Sequence, residues 1–570
     1  MEDSAKKFCS ILFDILEQKG IKDVVCSPGS RNVPLLVAAS SRPEMNKHFV
    51  VDERSAAFIA NGISLVGKKP VVLICTSGTA LLNYSPAIAE AYYQSLPLIV
   101  ISADRPLQWI DQDDSQTIRQ DGALSNFVKN SYSIPSSDED NEELQWYVNR
   151  LVNDAIITAT TGRKGPVHIN VHLSEPLDKR TEKQNMPQRL IETLEADSVG
   201  NKEAIKELAN KISDSKVLLV AGFIQPDSKL QKAISEFSRF PNIAVMAETI
   251  SNLHLKPEDY SIDSVLTSYD NEVLDSMAPD LVITVGGALV SRKLKEYIRR
   301  NSKKCRHWSV GYNHTTTDPF MSLTLRIETE PNRFFRNLNN ALRKCSFNKN
   351  VSNFQEDWHI KRVKALENKS KFIHQCIWSE LKAFDILLKN LPSNYNLFLS
   401  NGTSIRYAQI ISYDLPHASY CNRGVSGIDG SVSTALGGAL VYKGPTLLIT
   451  GDLSMAYDIG ALAFKDIPDR FKLIVIDNQG GGIFRFIPST SSLPEREKYL
   501  CQSPILPLIN LAAGYGWNYY ECEDEQSMLK TFKAFLKDTK KSIMKVKCDG
   551  FTSAEILKQY MNLKTSDNQK

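Results

Sequence analysis

Short apolar runs recur along the chain, separated by segments of helical period. Between residues 22 and 173 they fall at 23–26, 71–75, 98–102 and 167–171, and helical stretches at 55–66 and 87–93 lie between some of them. Runs this short, β-branched and apolar on consecutive positions suit strands buried on both faces, which predicts a parallel sheet covered by helices on each side. A second block repeats the pattern with strands at 217–222, 243–248, 281–286 and 323–327, edged by a charged, helix-prone segment over 348–371. A third has strands at 397–400, 447–450, 473–476 and 542–547. The polar stretch 178–201 reads as a linker and 564–570 as a polar tail. The expected fold class is α/β, with three doubly wound parallel-sheet domains over 1–180, 190–365 and 372–570. A length of 570 residues suits three cores rather than one.

Two of the third block's runs end on polar residues. Gly451-Asp452 closes Leu447-Leu448-Ile449-Thr450, and 26 residues beyond Asp452, Asn478 closes Leu473-Ile474-Val475-Ile476 and leads into Gly480-Gly481-Gly482. The segment from Asp458 to Phe464 and beyond has the length of a crossover helix. A right-handed crossover puts both polar residues at the carboxyl ends of neighbouring strands, the edge at which open α/β sheets bind ligands. An Asp carboxylate and an Asn carbonyl are hard oxygen donors of the kind Mg²⁺ takes beside phosphates, and glycines let backbone N–H groups approach phosphate oxygens. No Walker-type Gly-Lys-Ser/Thr follows, so a metal rather than a lysine would meet the phosphate charge. Either residue alone reads better as a strand-end cap; the spacing with the triple glycine reverses this in favour of a metal–diphosphate anchor.

Composition narrows the class. Hydrophobic content of 42%, charged content of 23% and a net charge of +3 describe an ordinary globular protein, with no basic run interleaved with aromatics to suggest nucleic acid. The longest apolar runs are strand-length, so no membrane span is expected. Phe8, Ile11, Leu12, Ile15 and Leu16 repeat at helical spacing behind an acidic start, an amphipathic helix rather than a signal peptide, which points to the cytoplasm. The ten cysteines include no Cys-x-x-Cys pair and fit reduced structural thiols.

Other polar residues sit at the same predicted edges. Glu53 follows Val50-Val51 and opens a helix, where a carboxylate either stabilises the helix or bonds a ligand ring. Ser27-Pro28-Gly29-Ser30-Arg31-Asn32 is a strand-to-helix turn suited to anions. Arg105, Arg292-Lys293, Arg406 and Arg423 recur near predicted strand ends or glycine turns. One such arginine reads as a solvated charge; several at one edge imply a polyanionic substrate, gripped bidentately.

Six segments then carry a resemblance: Ser27-Pro28-Gly29-Ser30-Arg31, Glu53, Ser102-Ala103-Asp104-Arg105-Pro106, Asn422-Arg423-Gly424-Val425-Ser426-Gly427-Ile428-Asp429-Gly430, Gly451-Asp452-Leu453-Ser454 and Gly480-Gly481-Gly482-Ile483-Phe484. In this order they resemble the 2-succinyl-5-enolpyruvyl-6-hydroxy-3-cyclohexene-1-carboxylate synthases, thiamine-diphosphate enzymes of menaquinone biosynthesis, over nearly the whole chain. The block over 422–430 is the most specific of them. The resemblance implies a pyrimidine-binding first domain, a central domain without cofactor and a diphosphate-binding third. It also implies a homodimer or homotetramer with the active site between subunits. Glu53 would bond the aminopyrimidine; Asp452, Asn478 and the Gly480 carbonyl would hold Mg²⁺ or Mn²⁺; Ile428 would keep the cofactor bent. Leu453, Ser454, Gly481, Ile483 and Phe484 would contact the cofactor. The implied reaction decarboxylates 2-oxoglutarate and adds the succinyl carbanion equivalent to isochorismate. Ser30, Arg31, Arg105, Gln116, Arg292, Lys293, Arg406 and Arg423 would line the substrate site, with Arg31 and Gln116 beside Glu53 as the catalytic set.

The chain departs from that family's usual residues at Asp113-Asp114-Ser115-Gln116, where Gly-Ala-Asn-Gln is common, and at Gly402, where a serine is usual and Thr403 or Ser404 is the nearest substitute. Arg292-Lys293 stands where Lys-Arg is common. Rival readings are another thiamine-diphosphate decarboxylase or carboligase, and a catalytically silent regulatory homologue. Aldehyde-releasing decarboxylases use first-domain histidines, and this chain has none between His48 and His168. A dehydrogenase fits least, because Gly480-Gly481-Gly482 is not Gly-x-Gly-x-x-Gly.

Overall fold

Residues 2–136, 141–183, 187–194, 202–313, 315–411 and 416–565 are described by a computed structural model. The predicted strands assemble into three separate parallel sheets, in keeping with the α/β class, and the chain packs as two compact units. The first comprises residues 1–195, 422–446 and 457–471, the second 196–421, 447–456 and 472–570.

In the first unit, strands Asn46–Phe49, Asp23–Cys26, Val71–Cys75, Leu98–Asp104, Val167–His172 and Ser131–Ile134 lie side by side in that order, every pair parallel. One face of the sheet packs Val24, Ile74, Ile99, Ile101 and Ile169 against helices Lys7–Gln18 and Glu142–Thr160. Phe8, Ile11, Leu12, Ile15 and Leu16 are all buried there, as their period predicts, each contributing roughly 1.5–3 kcal/mol by leaving water.

Helix Glu53–Gly67 buries every residue from Ser55 to Leu65 and packs against helix Ser431–Val441. Their backbones touch. A Cβ on Gly62 would lie 1.9 Å from the Thr434 carbonyl oxygen, and one on Gly437 would lie 2.0 Å from that of Ile59. Only glycine allows this approach, so the helix that follows the 422–430 block is locked to the helix that Glu53 opens.

The second unit carries a five-stranded parallel sheet in the order Ile243–Ala247, Val217–Ala221, Leu281–Val285, Arg306–Val310, Leu323–Ile327. The third sheet runs Ala418–Tyr420, Asn396–Leu399, Thr446–Gly451, Phe471–Asp477, Ser542–Lys547, Asn518–Cys522. It places the Asp452 and Asn478 strands side by side, as the spacing requires.

The structure departs from the sequence reading in several places. Strands Asn46–Phe49, Ser131–Ile134, Ala418–Tyr420 and Asn518–Cys522 are additional; each is a short, mixed-polarity edge, which gives no apolar run. Arg306–Val310 is additional and interior: its His307 is buried and shares a 2.8 Å hydrogen bond with Thr284, a polar pair that masks a central strand. The linker begins with strand Arg180–Glu182, antiparallel to Glu2–Ser4, while 184–186 and 195–201 lie outside the described residues. At the tail, Thr565 N–H donates to Ser268 and Lys564 to Tyr269; 566–570 lie outside the described residues.

Candidate functional site

Asp452 opens the short helix Asp452–Tyr457 at the end of its strand and is buried. One carboxylate oxygen accepts the Leu453 N–H and the other the Gly480 N–H, both at 2.7 Å. The second bond ties the Asp452 turn to the glycine loop across the two strand ends. Burial pushes the carboxyl up to about 6 despite these donors. The crossover between them is not one helix as expected. The helix breaks at Tyr457, and a 3₁₀ turn covers Ile459–Ala463, because Asp458 turns inward to accept the Ser433 N–H and Oγ–H, both at 2.7 Å.

The loop after Asn478 is held by its own constraints. Gln479, Gly480 and Gly481 have φ of +62°, +78° and +45°, and a Cβ on Gly480 would meet the Gln502 carbonyl oxygen at 2.1 Å. Buried Arg485 donates to the carbonyls of Asn478 (3.0 Å), Gln479 (3.2 Å) and Gly480 (3.1 Å) and pairs with Glu497 at 3.0 Å. The Asn478 side chain gives its Nδ2 to Glu380 Oε1 at 2.9 Å. Its oxygen is therefore the end left for a cation. One carboxylate, one amide oxygen and one backbone carbonyl form a hard-oxygen set that fits Mg²⁺ or Mn²⁺ beside phosphates. Among the described residues no cluster of three His, Cys, Asp or Glu side chains could hold a metal. Ile483 and Phe484 follow, half-buried, in the 3₁₀ turn Gly482–Arg485; Ser454 is buried and Leu453 half-buried.

Elsewhere in this unit, Lys293 and Arg406 both lie within the field of buried Asp263, and burial holds Lys293 below the usual lysine range. Arg406 also donates to the Gly402 carbonyl. Arg292 is exposed and pairs with Glu296 at 2.6 Å. The hydroxyls nearest Gly402 both turn inward: Thr403 donates to Glu380 at 3.0 Å and Ser404 accepts from Ser400 at 3.3 Å.

In the first unit, Glu53 is the first residue of its helix, half-buried, while Asp52 caps the helix by accepting the Arg54 N–H at 3.0 Å. With Asp52 taking the cap, Glu53 is not needed for it. Its charge is near enough to add to the burial that pushes up Cys75 and Tyr84. Arg31 and Arg105 are brought together: burial and the Arg105 charge both lower Arg31. Arg31 donates to Leu173 O at 3.1 Å and pairs with Glu175 at 3.0 Å. Arg105 pairs with Asp114 and donates to the Ser115 carbonyl at 2.6 Å. Ser30 and Gln116 are exposed, and Gln116 has φ +58°. The 422–430 block, with Arg423 and Ile428 half-buried, is anchored by Glu90, which accepts the Gly424 and Val425 N–H groups at 2.7 Å each.

Glu90, Asp263, Glu380, Asp458 and Arg485 escaped the sequence reading. Each has a signal in hindsight only as a charge among apolar or small neighbours, such as Glu90 within Ala87-Ile88-Ala89-Glu90-Ala91.

A buried Asp–Asn–glycine turn at the ends of adjacent parallel strands, and a helix-opening glutamate on another parallel sheet, are the features that the resemblance to thiamine-diphosphate enzymes implies. A family profile described as thiamine pyrophosphate enzyme, N-terminal TPP binding domain, matches residues 6–123. The relatives are more specific. The chain is 38% identical to the 2-succinyl-5-enolpyruvyl-6-hydroxy-3-cyclohexene-1-carboxylate synthase of Porphyromonas gingivalis, over 98% of this chain and 97% of that one. It is 36% identical to the synthase of Flavobacterium johnsoniae over 96% and 97%, and 34% identical to that of Bacteroides fragilis over 98% and 99%. The chain belongs to the 2-succinyl-5-enolpyruvyl-6-hydroxy-3-cyclohexene-1-carboxylate synthase family.

Proposed function

We propose that this chain carries out its family's reaction: 2-oxoglutarate is decarboxylated and its succinyl carbanion equivalent adds to isochorismate, giving 2-succinyl-5-enolpyruvyl-6-hydroxy-3-cyclohexene-1-carboxylate and CO₂. The observation that carries the reading is the buried Asp452–Gly480–Asn478 turn in a chain that matches its relatives almost end to end. Asp452, Asn478 and the Gly480 carbonyl would hold Mg²⁺ or Mn²⁺ against the diphosphate, with Leu453, Ser454, Gly481, Ile483 and Phe484 around it. Glu53 would bond the aminopyrimidine, and Ile428 would keep the cofactor bent. When bound, thiamine diphosphate supplies the electron sink that decarboxylation needs.

The chain's own part is charge and position. Arg31 and Arg105, close together and each already holding a carboxylate of the protein, are suited to the carboxylates of the substrates. Gln116 beside them would orient the reacting substrate. Arg292, Lys293, Arg406 and Arg423 would add positive charge for a second dicarboxylate. The reading keeps the expectation of a cytoplasmic homo-oligomer with shared active sites; among the described residues no helix is long and apolar enough to cross a membrane.

The test is turnover of 2-oxoglutarate with isochorismate in thiamine diphosphate and Mg²⁺ by the purified chain and by Glu53→Gln. Product from the unmutated chain and a loss of at least about 100-fold in the variant, roughly 2.7 kcal/mol of barrier, are expected. Equal rates would contradict the assigned role of Glu53.

A further inference from the structure

Glu380 is fully buried, lies 98 residues before Asn478 in sequence, and opens helix Glu380–Lys389. Its backbone N–H donates to Ser553 Oγ at 3.0 Å, which fixes the start of the helix. Its carboxylate is divided between two donors: Oε1 accepts Asn478 Nδ2 at 2.9 Å, and Oε2 accepts Thr403 Oγ at 3.0 Å. Gly482 closes the pocket, since a Cβ there would lie 2.4 Å from Asn478 Nδ2 and 3.4 Å from Glu380 Oε1. A side-chain amide has one acceptor and one donor end, and only the acceptor can face a cation. A carboxylate offers acceptors alone. The amide of Asn478 therefore keeps its nitrogen toward Glu380 and its oxygen away from it. Thr403 in turn holds Oε2 of Glu380, and it directly precedes helix Ser404–Ile411, whose first turn carries Arg406.

We propose that Glu380 is the positioning residue of the metal site: it sets which end of the Asn478 amide meets the cation, and through Thr403 it joins that site to the start of the helix that carries Arg406. This rests on the reading of Asp452, Asn478 and Gly480 as metal-holding residues. Partners of this kind, one shell behind a metal ligand, typically change metal affinity by about 10–100-fold when removed.

The test reverses the direction of the hydrogen bond and uses no substrate. Mg²⁺ is titrated by calorimetry into the full-length chain at saturating thiamine diphosphate, for the unmutated protein, Glu380→Ala, Asn478→Asp, and Asn478→Asp combined with Glu380→Gln. The first two variants are expected to weaken Mg²⁺ about 10–100-fold, the second because two carboxylates would then face each other. The double variant is expected to recover most of the affinity, because the glutamine would donate its Nε2–H to the carboxylate introduced at position 478 while its oxygen still accepts from Thr403. A merely structural Glu380 predicts no recovery. Full affinity in Glu380→Ala, or a double variant no better than Asn478→Asp alone, would overturn the proposal. If Glu380→Ala does not fold, the near-isosteric pair decides. Failure of the unmutated protein to bind Mg²⁺ with thiamine diphosphate would instead sink the reading of the site, and the role of Glu380 with it.

Discussion

The Asp452 carboxylate accepts the Gly480 N–H at 2.7 Å, joining the carboxyl ends of two adjacent strands of the third sheet. The bond holds the Asp452 carboxylate against the glycine loop that follows Asn478. Asp452→Ala is expected to fold, since it removes a carboxyl whose burial is unfavourable to the charged form. It should lose at least about 100-fold in Mg²⁺-dependent binding of thiamine diphosphate, about 2.7 kcal/mol, measured by calorimetry. Unchanged binding would remove Asp452 from the metal site.

The contact of helices Glu53–Gly67 and Ser431–Val441 through Gly62 and Gly437 predicts a stability effect. Gly437→Ala puts a methyl group 2.0 Å from a backbone oxygen, a clash no rotamer relieves. A loss of about 1–3 kcal/mol is expected, read from denaturant midpoints at constant slope. Gly67→Ala, on the same helix as Gly62 but with nothing within 4 Å, serves as the control and should not cost as much.

Asp458 predicts a pH dependence. Burial holds its carboxyl at about 7, above the unfolded value of about 3.9. A raised folded-state pKa contributes stability that is present below the unfolded value and lost as pH rises through the folded one. Asp458→Asn keeps a donor and an acceptor for Ser433 without the charge. The Tm of the variant relative to the unmutated protein should therefore rise from pH 4 to 7 and level off above it. A difference independent of pH would show that Asp458 is not held neutral by burial.

Arg105 is already paired with Asp114, a residue standing where the family commonly has alanine. On the proposed function, a substrate carboxylate displaces that partner. Asp114→Asn is expected to lower the KM for the dicarboxylate that Arg105 binds by several-fold, with kcat little changed. The gain should shrink at high salt, because Asp114 is partly exposed. An unchanged KM would place Arg105 away from the substrate.

The central strands and the Asp452–Asn478 pair were legible because burial on both faces leaves continuous apolar runs, and because strand ends in this fold class carry ligands. Edge strands such as Asn518–Cys522 were not, since an exposed face interrupts the run. Arg306–Val310 was hidden by His307, whose partner Thr284 lies on the neighbouring strand. The broken crossover was invisible for a similar reason. What ends the helix is Asp458 binding Ser433, a contact made only after folding. Glu380 was the least legible part of the site, because Ser379-Glu380 reads locally as a helix cap and first turn. Its second role arises only where the third sheet brings residues 380, 403 and 478 together.

The coupling of decarboxylation to carbon–carbon bond formation is measured by the dependence of CO₂ release on the acceptor. The purified chain is incubated with thiamine diphosphate, Mg²⁺ and 2-oxoglutarate, with and without isochorismate. CO₂ release is expected to depend on isochorismate and to be matched by 2-succinyl-5-enolpyruvyl-6-hydroxy-3-cyclohexene-1-carboxylate. Release independent of isochorismate, with free succinic semialdehyde as the main product, would contradict it and identify a simple decarboxylase.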